Sequence, residues 1–202
     1  MTGTIPCPDG RLRCRWCAAA PGFLAYHDQE WGFPVDNDQQ LFEKFCLEGF
    51  QSGLSWRTIL AKRENFRAAF HNFDIERVAA MTEDEVEALM VNDGIVRNRR
   101  KILAAINNAR RAQQLTSREG SLAAYVWRFE PAVLPGTLPQ TRVTAPESVA
   151  MSDDLKRRGW AFVGPTTVFA LMQAMGLVND HAEDCVIRGE VARARAAFRK
   201  PG

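Results

Sequence analysis

Apolar residues recur at helical spacing along most of the chain, and one apolar stripe contains a carboxylate. Leu41, Phe45 and Glu48 lie at i, i+4 and i+7 on one face of a predicted helix. A carboxylate on a buried apolar face is costly unless a partner compensates it. Gly49 and Gly53 follow, so we predict that the chain bends close to a buried acid. Glu48 is either a functional group or the structural partner of an arginine or a neighbouring helix.

The rest of the sequence also favours helices, and no segment shows the apolar–polar alternation that is typical of a strand. We therefore predict an all-α protein. Irregular structure is predicted for residues 1–22 and for 130–147, which contains Pro131, Pro135, Pro139 and Pro146. Helix starts are marked by a capping box at Thr82 and by candidate caps at Asp36, Asn37, Asp38 and Asp74. Helices are predicted over 23–32, around 41–48, from 55, over 64–70, from 82, from 99, over 121–129, 146–158 and 165–175, and as a turn or short helix over 181–185.

The composition indicates one domain that works in the cytoplasm. A chain of 202 residues, 46% of them hydrophobic, can bury a sizeable core. No apolar run reaches membrane-spanning length, and the first residues lack the regions of a signal peptide. The net charge of +2 does not by itself indicate a nucleic-acid partner. Five cysteines, an odd number, favour a metal site or free thiols over disulfides.

Candidate metal ligands occur near both ends of the chain. His181 and Cys185 are four residues apart, so a helix would place both on one face. Thiolate and imidazole ligands suit Zn²⁺ in a closed tetrahedral site, and one ion bound from both ends would join them. The spacing leaves open whether these residues are unrelated, and a redox pair of Cys14 and Cys17 is a weaker alternative. The N-terminal candidates are Cys7, Cys14, Cys17 and His27.

Aromatic residues are unusually frequent in the first quarter of the chain. Indole and phenol rings can stack on a nucleobase, and a carboxylate can accept hydrogen bonds from an exocyclic amine. Each aromatic residue taken singly is equally compatible with a place in the hydrophobic core. The acid on the apolar stripe is what favours a binding site. The set around Glu48 consists of Trp16, Phe23, Tyr26, Trp31 and Trp56.

A tight turn between two helices is predicted at residues 92–98. Gly94 can supply the left-handed conformation that such a turn needs. The next helix begins with a basic cluster, and the free amides of a helix N-terminus bind phosphate. The alternative is a helical corner with a solvated basic face. The basic residues are Arg97, Arg99, Arg100 and Lys101.

Together these segments resemble the 3-methyladenine DNA glycosylase I family, within the helix-hairpin-helix glycosylases. The resemblance extends in order from about residue 14 to residue 185. It rests on the motifs at 14–16, 26–32, 47–56, 62–67, 94–98 and 176–181.

The resemblance implies an all-α, two-lobed helix-hairpin-helix fold, with residues 1–202 as a single glycosylase domain. Residues 1–13 and 186–202 are then peripheral tails, the second of them basic and without an assigned role. A structural zinc ion is implied, which joins the N- and C-terminal segments. By motif position its ligands are Cys14, His27, His181 and Cys185.

The resemblance also implies site residues. A lesion pocket is expected from Glu48, Tyr26 and Trp56, lined by Trp16 and Trp31. Phe23 belongs to the same wall, where some relatives have tyrosine, so one hydroxyl contact to the base is lost. Two further groups are expected to contact DNA: Gly53 and Leu54, which would fill the gap left by a base, and the hairpin residues Gly94, Val96, Arg97 and Asn98.

The function implied is hydrolysis of the N-glycosidic bond of 3-methyladenine in alkylated duplex DNA. The methylated base is cationic and already activated as a leaving group, so a monofunctional enzyme without strand cleavage is expected. Glu48 is expected to recognise the flipped base, and a monomer is expected because bent DNA needs open access to one face. Two alternatives are a zinc-stapled helical DNA-binding module without catalysis and a glycosylase for another lesion.

Overall fold

Helices follow one another along most of the chain, as the apolar pattern predicts. The computed structural model describes residues 3–132 and 137–202, so the loop prediction at Pro135 lies outside the described residues. No helix within these ranges is long and apolar enough to cross a membrane. The helices are α1 (Phe23–Gln29), α2 (Asp38–Gln51), α3 (Trp56–Ala61), α4 (Arg63–Ala69), α5 (Ile75–Ala79), α6 (Glu83–Val91), α7 (Arg99–Glu119), α8 (Leu122–Trp127), α9 (Pro146–Arg157), α10 (Pro165–Ala174) and α11 (Val186–Ala197).

The N-terminal segment contains a small sheet that the sequence did not predict. Strands β1 (Thr4–Pro6) and β2 (Leu12–Cys14) pair antiparallel, with Thr4 opposite Cys14. Each strand is only three residues long, too short for an alternating pattern to show. A 3₁₀ helix over Arg15–Ala18 follows directly and leads towards α1. Strand β2 also contacts α11, and Cys14 at its end is fully buried.

The predicted helix starts are largely confirmed. Asn37, one of three candidates, caps α2 by accepting a hydrogen bond from the Gln40 amide at 3.0 Å. Asp74 caps α5, and the capping box at Thr82 begins α6. Because these caps satisfy amides that have no partner within the helix, the helices begin at defined residues.

Helix α2 lies at the centre of the structure and contacts α3, α7, α8 and α10. Its apolar face, including Leu41 and Phe45, is buried in the main hydrophobic core. Two charged residues of the same helix, Lys44 and Glu48, are buried as well. The core thus holds the helix that carries the predicted acid.

The C-terminal segment is a helix and not a loose tail. The turn or short helix predicted at 181–185 is a turn, and α11 begins after it. Ile187 and Val191 of α11 are buried beside Cys14. Beyond α11, the Phe198 ring packs on Trp127 with ring centroids 4.5 Å apart. These apolar contacts hold the segment in place together with ion pairs from Arg195 and Lys200 to Glu130.

Candidate functional site

A cavity of about 160 Å³ lies beside the C-terminal half of α2. The sequence predicted five of its lining residues and did not predict the two glutamines, since isolated amide side chains carry no pattern. Phe23, also predicted, lies behind Trp16, with ring centroids 5.9 Å apart, and is not among the lining residues. The lining residues are Trp16, Tyr26, Trp31, Glu48, Gln51, Trp56, Ala170 and Gln173.

Glu48 is buried against a lysine that the sequence pattern did not predict. Lys44 Nζ lies 2.9 Å from Glu48 Oε1 and donates a hydrogen bond of 2.7 Å to the Tyr26 hydroxyl. The same ammonium lies 3.6 Å from the centroid of a Trp56 ring, a cation–π contact. Lys44 precedes Glu48 by one helical turn, and this spacing is the sequence feature that could have predicted the pair. The partner of the buried acid is thus a lysine and not an arginine.

The ionisation of this group is set by burial and by close charges. Burial lowers the pKa of Lys44, but the Glu48 carboxylate and the Tyr26 oxygen outweigh burial, so the pKa is raised. Lys44 therefore carries a full charge at neutral pH. Burial raises the pKa of Tyr26, so its phenol stays protonated. The Lys44 ammonium and the Glu48 carboxylate thus form an ion pair beside the Tyr26 hydroxyl and the Trp56 ring.

The aromatic rings of the cavity pack edge-on or tilted against each other. The Trp16 and Trp31 rings are 5.1 Å apart at an interplanar angle of 75°, and Tyr26 and Trp56 are 5.3 Å apart at 43°. Such packing fixes the rings in place. A planar ligand that donates hydrogen bonds would meet ring faces and the Glu48 carboxylate in one cavity.

A second cluster brings together the four residues that the family motifs marked as metal ligands. Their ligand atoms all lie within 4.8 Å of one another. The His181 Nδ1 atom is 3.1 Å from His27 Nε2, and the Cys185 sulfur is 3.5 Å from the same nitrogen. Tetrahedral Zn²⁺ with bonds of about 2.0–2.3 Å holds its ligand atoms about 3.3–3.8 Å apart. The cluster of Cys14, His27, His181 and Cys185 could therefore hold a metal ion.

Surrounding groups orient these ligands as metal sites require. His27 Nδ1 is 2.7 Å from an Asp28 carboxylate oxygen, and His181 Nε2 is 2.9 Å from the Trp31 carbonyl oxygen. Each imidazole can donate a hydrogen bond from this nitrogen and keep its other nitrogen free to bind a metal. The Gln140 side-chain amide donates to the Cys14 sulfur at 3.0 Å.

The two thiols of the cluster are electrostatically unequal. A hydrogen bond from Cys14 lowers the pKa of Cys185, and the same contact raises the pKa of Cys14. Only one thiolate is therefore favoured when no cation is present, whereas a divalent cation stabilises both. Cys7 and Cys17, the other N-terminal candidates, are not in the cluster.

The cluster and the cavity share their framework. Trp16 follows Cys14 by two residues, and His27 directly follows Tyr26. The Trp31 ring lies 4.7 Å from the His181 ring, in addition to the hydrogen bond of its carbonyl. A metal ion in the cluster would therefore hold the aromatic wall of the cavity.

The turn between α6 and α7 has the predicted position but a different glycine requirement. Gly94 does not have the left-handed φ that we expected. Glycine is needed for space, because a Cβ atom would lie 2.9 Å from Asn92 Oδ1. Asn98 caps α7, accepting from the Lys101 amide at 3.2 Å. Arg97 and Asn98 are exposed, Val96 is half-buried, and among the described residues Arg97 forms no ion pair.

The segment after α2 exposes an apolar side chain. Gly53 has a left-handed φ of 77°, and Leu54 beside it is 44% exposed. Buried Lys101 holds this bend, since its Nζ donates a hydrogen bond of 2.8 Å to the Phe50 carbonyl and another to the Ser52 carbonyl. Burial lowers the pKa of Lys101. The bend thus exposes Leu54 beside the C-terminal end of α2, which Lys101 holds in place.

Comparison with known proteins gives a consistent result. A family model described as Methyladenine glycosylase matches residues 16–188. The chain is 48% identical over 177 residues to DNA-3-methyladenine glycosylase 1 of Escherichia coli K12, covering 86% of this chain and 95% of that protein. It is 42% identical to the DNA-3-methyladenine glycosylase of Haemophilus influenzae Rd, covering 86% and 96%.

Solved structures show the same relationship. A crystal structure of 3-methyladenine DNA glycosylase I is 47% identical, covers 86% of this chain and 98% of its own, and has a TM-score of 0.79. A variant of 3-methyladenine DNA glycosylase I in complex with 3-methyladenine is 32% identical, with a TM-score of 0.80 and coverage of 87% and 97%.

Proposed function

Because the chain belongs to the methyladenine glycosylase family, we propose that it is a base-excision repair enzyme that hydrolyses the N-glycosidic bond of 3-methyladenine in alkylated duplex DNA. The observation that carries the proposal is the buried Glu48 carboxylate in a cavity walled by Tyr26, Trp56, Trp16 and Trp31. Its relatives are DNA-3-methyladenine glycosylases, and one similar glycosylase was crystallised with 3-methyladenine.

The proposed chemistry depends on the charge of the lesion. Methylation at N3 makes adenine cationic and weakens its bond to deoxyribose, so the enzyme need not protonate the leaving group. The base leaves the duplex, stacks on Trp56, and donates from its exocyclic amine to Glu48. A carboxylate in a dry site stabilises a nearby cation more strongly than it does in water. Glu48 therefore serves recognition and electrostatic stabilisation.

The arrangement of the lysines supports a monofunctional enzyme. Lys101 Nζ donates to two backbone carbonyls, and Lys44 Nζ is bound to Glu48 and Tyr26. A nucleophilic lysine must present a free amine to the sugar. Neither buried lysine does so, and we propose that water is the nucleophile and that the DNA strand stays intact.

Two exposed elements are proposed to contact the DNA. The α6–α7 turn is the helix-hairpin-helix element, in which exposed Arg97 and the N-terminus of α7 would bind phosphate. Exposed Leu54 would fill the space that the flipped base leaves. We propose that one monomer acts on one lesion.

We further propose that the Cys14, His27, His181 and Cys185 cluster holds a structural zinc ion. Two thiol and two imidazole donors form a closed set, and all four are buried. The ion would join the segment that carries Trp16 and Tyr26 to the C-terminal segment, and so keep the cavity walls in place. Its contribution is to stability rather than to the reaction.

One experiment distinguishes this function from the two alternatives. Duplexes carrying alkylated, oxidised or deaminated bases are incubated with the protein, and the released bases are identified by mass spectrometry. The proposal predicts release of 3-methyladenine from the alkylated duplex without strand cleavage. Binding without any free base would instead indicate a DNA-binding module. Release of only another base would indicate a different lesion.

A further inference from the structure

The charged residues around the cavity are already paired before any ligand enters. Lys44 pairs with Glu48 at 2.9 Å, Arg63 with Glu30 at 2.6 Å, and Arg67 with Glu43 at 2.8 Å. Glu48 lines its own cavity, and the other five residues line an adjoining cavity of about 230 Å³, with Tyr26 and Trp56 as a wall common to both. The acid that lines the smaller cavity is thus already paired with Lys44, so this pair offers no net negative charge to a cationic ligand.

We propose that Lys44 is a specificity-determining residue that weakens the preference of the cavity for a cationic base over an uncharged one. The proposal rests on the proposed function only in taking this cavity as the base site. It extends that function, because a neutral pocket accepts uncharged alkylated bases beside cationic 3-methyladenine.

Lys44 contacts the same groups that are proposed to hold the base, namely the Glu48 carboxylate, the Tyr26 hydroxyl and a Trp56 ring. A base that donates a hydrogen bond to Glu48 would lie roughly two hydrogen-bond lengths, about 6 Å, from the Lys44 ammonium. At this distance, in a buried site, like charges repel appreciably. A cationic base is therefore attracted by Glu48 and repelled by Lys44, while an uncharged base keeps its hydrogen bonds and its stacking.

The contacts of Lys44 show why it remains in place. Its ammonium has three partners, namely the Glu48 carboxylate, the Tyr26 hydroxyl and the Trp56 ring. Only 4% of the residue is exposed. If Lys44 left this position, the buried Glu48 carboxylate would lose its partner, which costs more than keeping the ion pair. Lys44 is thus a fixed positive charge of the pocket and not a mobile surface lysine.

The test measures the affinity of two small probes for wild-type protein and for Lys44→Met. The probes are 3,9-dimethyladeninium, a permanent cation, and 9-methyladenine, its uncharged counterpart, titrated by calorimetry. We expect the ratio of the two affinities to shift at least tenfold towards the cation in Lys44→Met. Lys44→Arg, which keeps the positive charge, should retain the wild-type ratio.

Further variants keep the test decisive. Lys44→Gln replaces Lys44→Met if the latter does not fold, and Lys44→Met combined with Glu48→Gln should lose the gain because no carboxylate remains. An unchanged ratio, a shift towards 9-methyladenine, or no binding of either probe overturns the role of Lys44. Excision of 3-methyladenine by the wild type, measured separately, decides the proposed function whatever the ratio shows.

Discussion

At the scale of single residues, the Lys44–Glu48 pair has the greatest consequence. Both side chains are almost fully buried, and removing one partner of a buried ion pair costs about 3–5 kcal/mol because the other charge is left uncompensated. Each charge of the pair is therefore compensated by the other charge rather than by water. It gives α2 a fixed charged group inside an otherwise apolar helix face.

Gly176 is a residue at which the backbone itself is under constraint. It has a φ of 81°, and a Cβ atom would lie 2.5 Å from the Phe33 carbonyl carbon and from the Pro34 nitrogen. We predict that Gly176→Ala lowers the free energy of unfolding by at least about 2 kcal/mol, because backbone atoms cannot yield as a side chain can. Urea denaturation measures this change.

Gly189→Ala is the matched control for that prediction. Gly189 lies inside α11, where a Cβ atom would meet only the Arg193 side chain at 3.7 Å. Alanine should therefore stabilise the helix by about 0.5–1 kcal/mol. Equal effects of the two substitutions would contradict the close approach at Gly176.

At the scale of elements, the α6–α7 turn combines structure and exposure. Buried Ile95 anchors the turn and Asn98 caps α7, while Arg97 points its charge to the surface. We predict that Arg97→Ala weakens binding to abasic duplex DNA and reduces the slope of log affinity against log salt by about 1, since one phosphate contact is lost. Fluorescence anisotropy at several salt concentrations gives the slope.

Arg118→Ala provides the comparison for the turn. Arg118 is an exposed arginine of the same helix, in its last turn and far from the α6–α7 turn. Its substitution changes the net charge equally and should leave the slope unchanged. If both variants lose the same slope, DNA binding depends on general charge and the α6–α7 turn has no special role.

The elements also show what the sequence could predict. Apolar periodicity and caps predicted α2, α6 and α7 because those signals are local. Strands β1 and β2 are too short to show alternation, and α11 was obscured by its basic residues although Ile187 and Val191 anchor it.

At the site, the position of Glu48 on the apolar stripe and the spacing of His181 and Cys185 could be read from the sequence. The choice of Cys14 over Cys7 and Cys17 came from the family resemblance. Lys44 was missed, because a lysine becomes buried only through tertiary contacts, here with Tyr26 and Trp56. Likewise, the need for glycine at Gly94 depends on a neighbouring side chain rather than on the turn itself.

At the scale of the whole molecule, the proposed zinc site ties the two ends of the chain together. We predict one zinc ion per chain by elemental analysis. Cys185→Ala should lose the ion and lower the melting temperature by about 5–10 °C, because binding energy contributes to folding. Its control is Cys46→Ala, which removes a buried thiol from the main core and should keep the zinc. Wild-type protein purified without metal yet equally stable would argue against a structural ion.

The most direct test of the central claim, that a buried carboxylate recognises the cationic base, is single-turnover excision of 3-methyladenine by wild type and Glu48→Gln. A charge-assisted hydrogen bond contributes about 1.5–3 kcal/mol, so we predict a rate at least about tenfold lower for the variant. Asp153→Asn, an exposed acid of α9 that lines neither cavity, should excise at nearly the wild-type rate. A folded Glu48→Gln protein that releases 3-methyladenine as fast as the wild type would contradict the claim.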